Sequence, residues 1–163
     1  MKILFIISII HFSILFSPVN YQSAISGNYD RELQDSFLKI AKGFLLAKEK
    51  TFQEKATSQD VDSFLSFCSD SVQYEHILSP DKKFSFTGKE QWRDGVISHL
   101  GETRNAKIEI VKSIERQNIV IIEYNLYREI KTGGSWKKDS KKITVSVLEF
   151  DKDKKIKKIT DYL

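Results

Sequence analysis

Two apolar periods divide the chain. From Asp30 to about Lys55, Leu33, Phe37, Ile40, Ala41, Phe44 and Leu45 recur at three- and four-residue spacing. That stripe predicts one long amphipathic helix with Asp30 as its cap. Thr57-Ser58 interrupts it, and Asp60, three residues after Thr57, completes a short capping box. Val61, Phe64, Leu65 and Cys68 then predict a second, shorter helix. From Ser71 a period of two takes over. Ser71 to Leu78 reads as a strand with Val72, Tyr74 and His76 on one face. Ser79-Pro80-Asp81 turns, and Phe84 to Phe86 returns. Thr87-Gly88-Lys89-Glu90 predicts a capping box opening a third helix to about Leu100. Its inner face is Trp92, Val96 and Leu100, and Gly101 is its stop. Strands follow over Ala106–Arg116, Asn118–Ile130, Lys142–Phe150 and Lys155–Leu163, with turns at Thr132–Ser135 and Asp151–Lys154. Helices early and strands late predict an α+β fold: three N-terminal helices packed on one face of a curved antiparallel sheet.

The first 26 residues follow neither period. Lys2 supplies a positive charge, and Ile3 to Phe16 form an almost unbroken apolar run, shorter than the roughly 20 residues a bilayer requires. Pro18 and Asn20 end the run, and Ala24-Ile25-Ser26 places small residues before a cleavage point at Gly27. Residues 1–26 therefore read as a secretory signal, which predicts a secreted or periplasmic protein with no stable membrane anchor after cleavage. The alternative is an uncleaved anchor. No cysteine follows the run to carry a lipid.

Composition narrows the chemistry. Of 163 residues, 40% are hydrophobic and 29% charged, which supports one packed domain and excludes a mostly disordered chain. One cysteine, Cys68, excludes an internal disulfide framework or a cysteine-clustered zinc site, and three histidines are too few for a His-rich metal centre. Cys68 reads as a small core residue. No metal and no cofactor are expected. The formal charge is +4, with the basic excess in Lys137-Lys138, Lys141-Lys142 and Lys152 to Lys158. Acidic residues interleave with these lysines, so they read as soluble sheet edges and no nucleic acid is expected. No phosphate-binding glycine loop, serine-nucleophile motif or Cys–His pair is visible.

Three stretches carry a family resemblance. Asp60 to His76 (DVDSFLSFCSDSVQYEH) resembles the short helix, acidic turn and first strand of the nuclear transport factor 2-like superfamily, within it the SnoaL-like group. Phe86 to Trp92 (FTGKEQW) is similar to its glycine-led entry into the third helix, and Lys155 to Leu163 (KIKKITDYL) to its last strand. The likeness covers residues 30–163 and implies a cone-shaped half-barrel with an apolar pocket at its open end. Known members include ketosteroid isomerases, polyketide cyclases, dehydratases and many proteins without chemistry. Carried over from the isomerases, the general base falls on His76, the carboxylic-acid oxyanion donor near Ser146 and the oxyanion tyrosine near Phe52. The strong donors are thus replaced, which argues against steroid isomerisation. The cyclases use an Asp with a His nearby, a pair that His76 and Asp161 supply.

The resulting expectations are concrete. His76 and Asp161 are the candidate catalytic pair, with Asp161 raising the histidine pKa and fixing its tautomer. Tyr74, Trp92, Tyr124 and Ser146 are the candidate ligand-pocket residues. The favoured function is binding of a small apolar ligand, or of a partner protein, without turnover. The alternative is a small lyase, isomerase or cyclase with His76 as base. Val120 and Ile122 occupy one face of their strand and Ile119 and Ile121 the other. A one-sided helix cover does not require the second apolar face, so a homodimer through the sheet is expected.

Overall fold

The computed structural model describes residues 29–139 and 141–163, with side chains from Phe37 onward. The expected signal, residues 1–26, lies outside them. Helix α1 spans Tyr29–Thr51, so Asp30, expected as its cap, stands inside its first turn. Its buried positions Phe37, Ala41, Phe44, Leu45, Lys48 and Thr51 keep the helical spacing. The helix ends four residues before Lys55. There the Phe52 and Gln53 N–H groups donate to the Glu49 and Lys50 carbonyls, tightening the chain into three-residue turns.

Helix α2 spans Ser58–Leu65, and both halves of the Thr57–Asp60 capping box form. Helix α3 spans Lys89–Ile97, but the box expected at its start does not form. Gly88, not Thr87, is the capping residue, at a φ of 90° that favours glycine. The Thr87 side chain makes no cap bond, and its N–H donates to Gln91 Oε1 at 3.1 Å. Leu100 and Gly101 lie beyond the helix in turns.

The strands are β1 (Cys68–Ser79), β2 (Lys82–Thr87), β3 (Thr103–Arg116), β4 (Ile119–Thr132), β5 (Ser135–Lys138), β6 (Lys142–Phe150) and β7 (Ile156–Tyr162). They form one open sheet in the order β2-β1-β7-β6-β4-β3, with β5 paired to β4. The sequence pattern did not point to β5. It follows from Gly133 and Gly134, whose positive φ values make the tight turn that sends the chain back along β4.

An antiparallel sheet was expected, but β1 and β7 pair in parallel. The direction of β7 is set by its antiparallel partner β6, and that of β1 by its hairpin with β2. Where those two units meet, the strands run the same way. The result is an α+β architecture of three helices on a mixed, curved sheet.

The core lies between the helices and the inner sheet face. Phe37, Phe44, Leu45, Val61, Phe64 and Leu65 meet Val72, Val120, Ile122, Leu148, Phe150, Ile156 and Ile159. Phe44 packs on Phe64 and Phe37 on Phe150, with ring centroids 5.0 and 4.8 Å apart. Cys68 is buried in this core, and burial pushes its thiol up to about 12.

Candidate functional site: a buried carboxylate beside an aromatic cavity

Sheet register builds the polar centre. Across β2, β1, β7, β6 and β4, Phe84, His76, Asp161, Ser146 and Ile122 stand opposite one another in a single row. In β1 and β7 the alternation that buries Val72 and Ile159 carries His76 and Asp161 to the same inner face. Asp161 is only 1% exposed. A buried carboxylate is costly unless it is paired and hydrogen-bonded, and this one is both.

Lys48 Nζ donates to Asp161 Oδ2 at 2.8 Å and to Tyr124 Oη at 3.2 Å. Tyr74 Oη donates to the same carboxylate oxygen at 3.1 Å, and Ser146 Oγ donates a short bond to Oδ1. Tyr74 Oη also lies 2.8 Å from His76 Nδ1. No hydrogen bond joins His76 directly to Asp161 among the described residues; the Tyr74 hydroxyl stands between them.

The charges follow from this arrangement. Burial pulls the Lys48 ammonium down, but Asp161, Tyr124 and Tyr74 outweigh it and hold Lys48 well above its ordinary value. Burial and the neighbouring carboxylate raise the Tyr74 phenol, so it stays protonated. His76 moves opposite to the expected direction. Burial lowers it most, Asp161 raises it, and the Lys48 and Arg128 cations lower it further, leaving it below its ordinary value. The expectation of a raised histidine overlooked burial first, and then Lys48, which shares the carboxylate.

The cavity lies beside this cluster. It holds about 350 Å³ and is walled by Phe52, Phe86, Trp92, Gly95, Val96 and Ile130, with Thr51, His99, Glu102, Thr103 and Arg128 completing its lining. Trp92 is the one expected pocket residue that lines it. Tyr74, Tyr124 and Ser146 instead surround Asp161, and neither His76 nor Asp161 contributes to the wall. Phe52, the position matched to an isomerase tyrosine, presents an apolar ring beneath the Arg128 guanidinium, 5.4 Å from its centroid. Tyr74 joins the two regions. Its ring stacks on Trp92 at 4.7 Å and lies 6.0 Å from Phe86, while its hydroxyl belongs to the carboxylate cluster.

Sequence reasoning missed Lys48. The available signal was its position four residues after Phe44, where a cation continues an apolar helix stripe. Arg128 was also missed; it sits on β4 in phase with Val120, Ile122, Tyr124 and Leu126, one step past the last apolar member. Among the described residues no group of three or more His, Cys, Asp or Glu side chains comes together to hold a metal.

Comparison with known proteins places the fold. Neither a family model nor a curated protein matches the sequence. A LEH-like epoxide hydrolase from M. tuberculosis is 17% identical, covering 80% of this chain and 84% of its own at a TM-score of 0.60. A protein described as a SnoaL-like polyketide cyclase, from Shewanella putrefaciens CN-32, is 12% identical, covering 77% and 78% at 0.61. An NTF-2-like protein of unknown function from Burkholderia xenovorans LB400 is 18% identical, covering 80% and 84% at 0.56. The chain has the nuclear transport factor 2-like fold, and at these identities the likeness concerns the fold alone.

Proposed function

We propose that the protein is a binding module whose cavity takes a small apolar, ring-sized ligand without turnover. The observation that carries this reading is the cavity wall: four aromatic or aliphatic side chains (Phe52, Phe86, Trp92 and Ile130) with Val96 beside them. The charged groups of the lining are already engaged, Arg128 with Asp139 at 3.1 Å and His99 with Glu102 at 2.8 Å. A volume of about 350 Å³ is at the small end for ligand sites, which suits one or two fused rings. The test is titration with 2-naphthol, read by Trp92 fluorescence, alongside mass spectrometry of molecules that co-purify. Saturable quenching lost in Val96→Phe, which fills the cavity without adding a second reporter, is expected. Unsaturable quenching identical in both proteins, with nothing co-purifying, defeats the reading.

A second reading, a small lyase, isomerase or cyclase, is favoured by one observation: the chain of hydrogen bonds Asp161–Tyr74–His76 orients an imidazole of lowered basicity. Neighbours of this fold named as a hydrolase and a cyclase support the idea that it hosts such chemistry.

The same proposal includes export through residues 1–26 and self-association through the outer sheet face. Thr160, Val147, Ile121 and Ile114 form an aligned, largely apolar row across that face. Paired charges of both signs flank it, Lys112 opposite Glu123 and Lys158 with Glu75 at 3.5 Å. A two-fold contact sets acid against base in such a surface.

A further inference from the structure

We infer that Tyr74 is a positioning residue that fixes the tautomer of His76, holding its proton on Nδ1 and leaving Nε2 bare as the acceptor. The inference deepens the second reading above, because a general base needs a lone pair turned toward its substrate.

The argument is a proton count. The Tyr74 hydroxyl has one hydrogen and two close partners, Asp161 Oδ2 at 3.1 Å and His76 Nδ1 at 2.8 Å. If that hydrogen went to Nδ1, the phenol oxygen would face the carboxylate oxygen lone pair to lone pair, in a site where Asp161 is 1% exposed. An unmade bond to a buried charge is expensive. If the hydrogen goes to Asp161, the phenol oxygen accepts from an Nδ1–H, and every contact carries a proton. Asp161 cannot supply the hydrogen itself. Its oxygens accept from Lys48, Ser146 and Tyr74, which is the environment of an ionised carboxylate.

The other side of the ring is free to act. His76 is half-buried, and its Nε2 makes no hydrogen bond among the described residues. Phe84 is its neighbour on β2 and brings no polar atom. A charged imidazolium would also satisfy the count at Nδ1, but burial first, and then the nearby cations of Lys48 and Arg128, act against it over the opposing Asp161. Neutral His76 with a bare Nε2 remains. Such a nitrogen takes a hydroxyl or an acidic C–H from a ligand and rejects a carbonyl oxygen.

The experiment is long-range ¹H–¹⁵N correlation on the resting full-length protein labelled at histidine, at neutral pH. His76 is assigned from the signal lost in His76→Gln. The expected spectrum has a protonated Nδ1 and an unprotonated Nε2, shifted far downfield. Tyr74→Phe keeps the ring stack on Trp92 and removes the relay, so the preference should relax toward the Nε2–H form. Ser146→Ala removes a donor to Asp161 without touching Tyr74 or His76 and should leave the spectrum unchanged. A wild-type His76 protonated at Nε2, or a Tyr74→Phe spectrum identical to wild type, overturns the inference. The measurement needs no turnover, so it can fail while the catalytic reading stands, and the reverse.

Discussion

The cavity and the carboxylate cluster are joined through Tyr74, whose ring packs on two residues of the cavity wall, and otherwise differ in kind. The cavity is open, walled by rings, and its charged groups are engaged in pairs. The cluster is closed and polar, and Asp161 has three donors. The first is stabilised by contact area and tolerates changes of shape. The second is an all-or-none network in which removing one member strands the others. A ligand has room in the cavity, whereas in the cluster only His76 keeps an unused polar atom.

The sharpest way to break the comparison is Asp161→Leu. It leaves the Lys48 ammonium buried without its counter-charge and should cost about 4 kcal/mol of stability in urea unfolding. Adding Lys48→Met should restore part of that loss. Full recovery is not expected, because the Tyr74 and Ser146 hydroxyls still lack their acceptor, each at about 1–3 kcal/mol. A double variant no more stable than the single one would mean that Lys48 is not held by Asp161.

Trp92→Ala probes the other region. Trp92 is buried, packs edge-on against Phe64 at 5.0 Å and stacks on Tyr74. Its truncation should cost about 3 kcal/mol, the low end for a large aromatic, because one side already faces the cavity. Followed by titration calorimetry, since the fluorescent reporter is gone, it should also abolish 2-naphthol binding, whereas Lys48→Met/Asp161→Leu should bind nearly as wild type. Equal loss of binding in both variants would show that the two regions act as one site.

The two regions were unequally legible in the sequence. The elements that build the core were readable because burial repeats with the period of the backbone: Phe37, Ala41 and Phe44 on a helix, Val120, Ile122 and Tyr124 on a strand. The parallel β1–β7 pair was not, because local alternation is the same for either strand direction. For the site, His76 and Asp161 were singled out and the register sets them on neighbouring strands. Which groups share the carboxylate depends on Lys48, 113 residues away in sequence. No local pattern encodes that contact, which adds to the burial that chiefly lowers His76. The cavity wall was hidden for the same reason: Phe52 just past α1, Val96 on α3 and Ile130 on β4 come from segments whose relation is tertiary.

A smaller effect concerns the outer face. If two copies meet there, Ile121→Glu places a carboxylate in the middle of the apolar row and should convert the dimer to monomer in sedimentation velocity. Both regions of the inner face should be untouched, with unchanged 2-naphthol binding and unfolding changed only through lost association. A wild-type protein that sediments as a monomer at tens of micromolar removes the dimer proposal altogether.

The smallest expected effect is also the most direct reading of the cluster's electrostatics. His76 has a folded pKa below its ordinary value of 6.5, through burial first and then through Lys48 and Arg128, with Asp161 opposing. Between the folded and unfolded values the unfolded chain binds more protons than the native one, so stability rises with pH across that window. The contribution is complete above the ordinary histidine value and is lost as pH falls through the folded one. His76→Gln removes the titration, and its stability curve from pH 8 to pH 5 should therefore fall less steeply than that of wild type. In Lys48→Met one of the two lowering cations is gone while Asp161 remains. The imidazole then becomes the nearest cation available to the carboxylate, so its pKa should climb and the wild-type slope should flatten or change sign. A wild-type curve in which acid stabilises the protein relative to His76→Gln would mean that Asp161 governs the histidine after all, with Lys48 too far from it to matter.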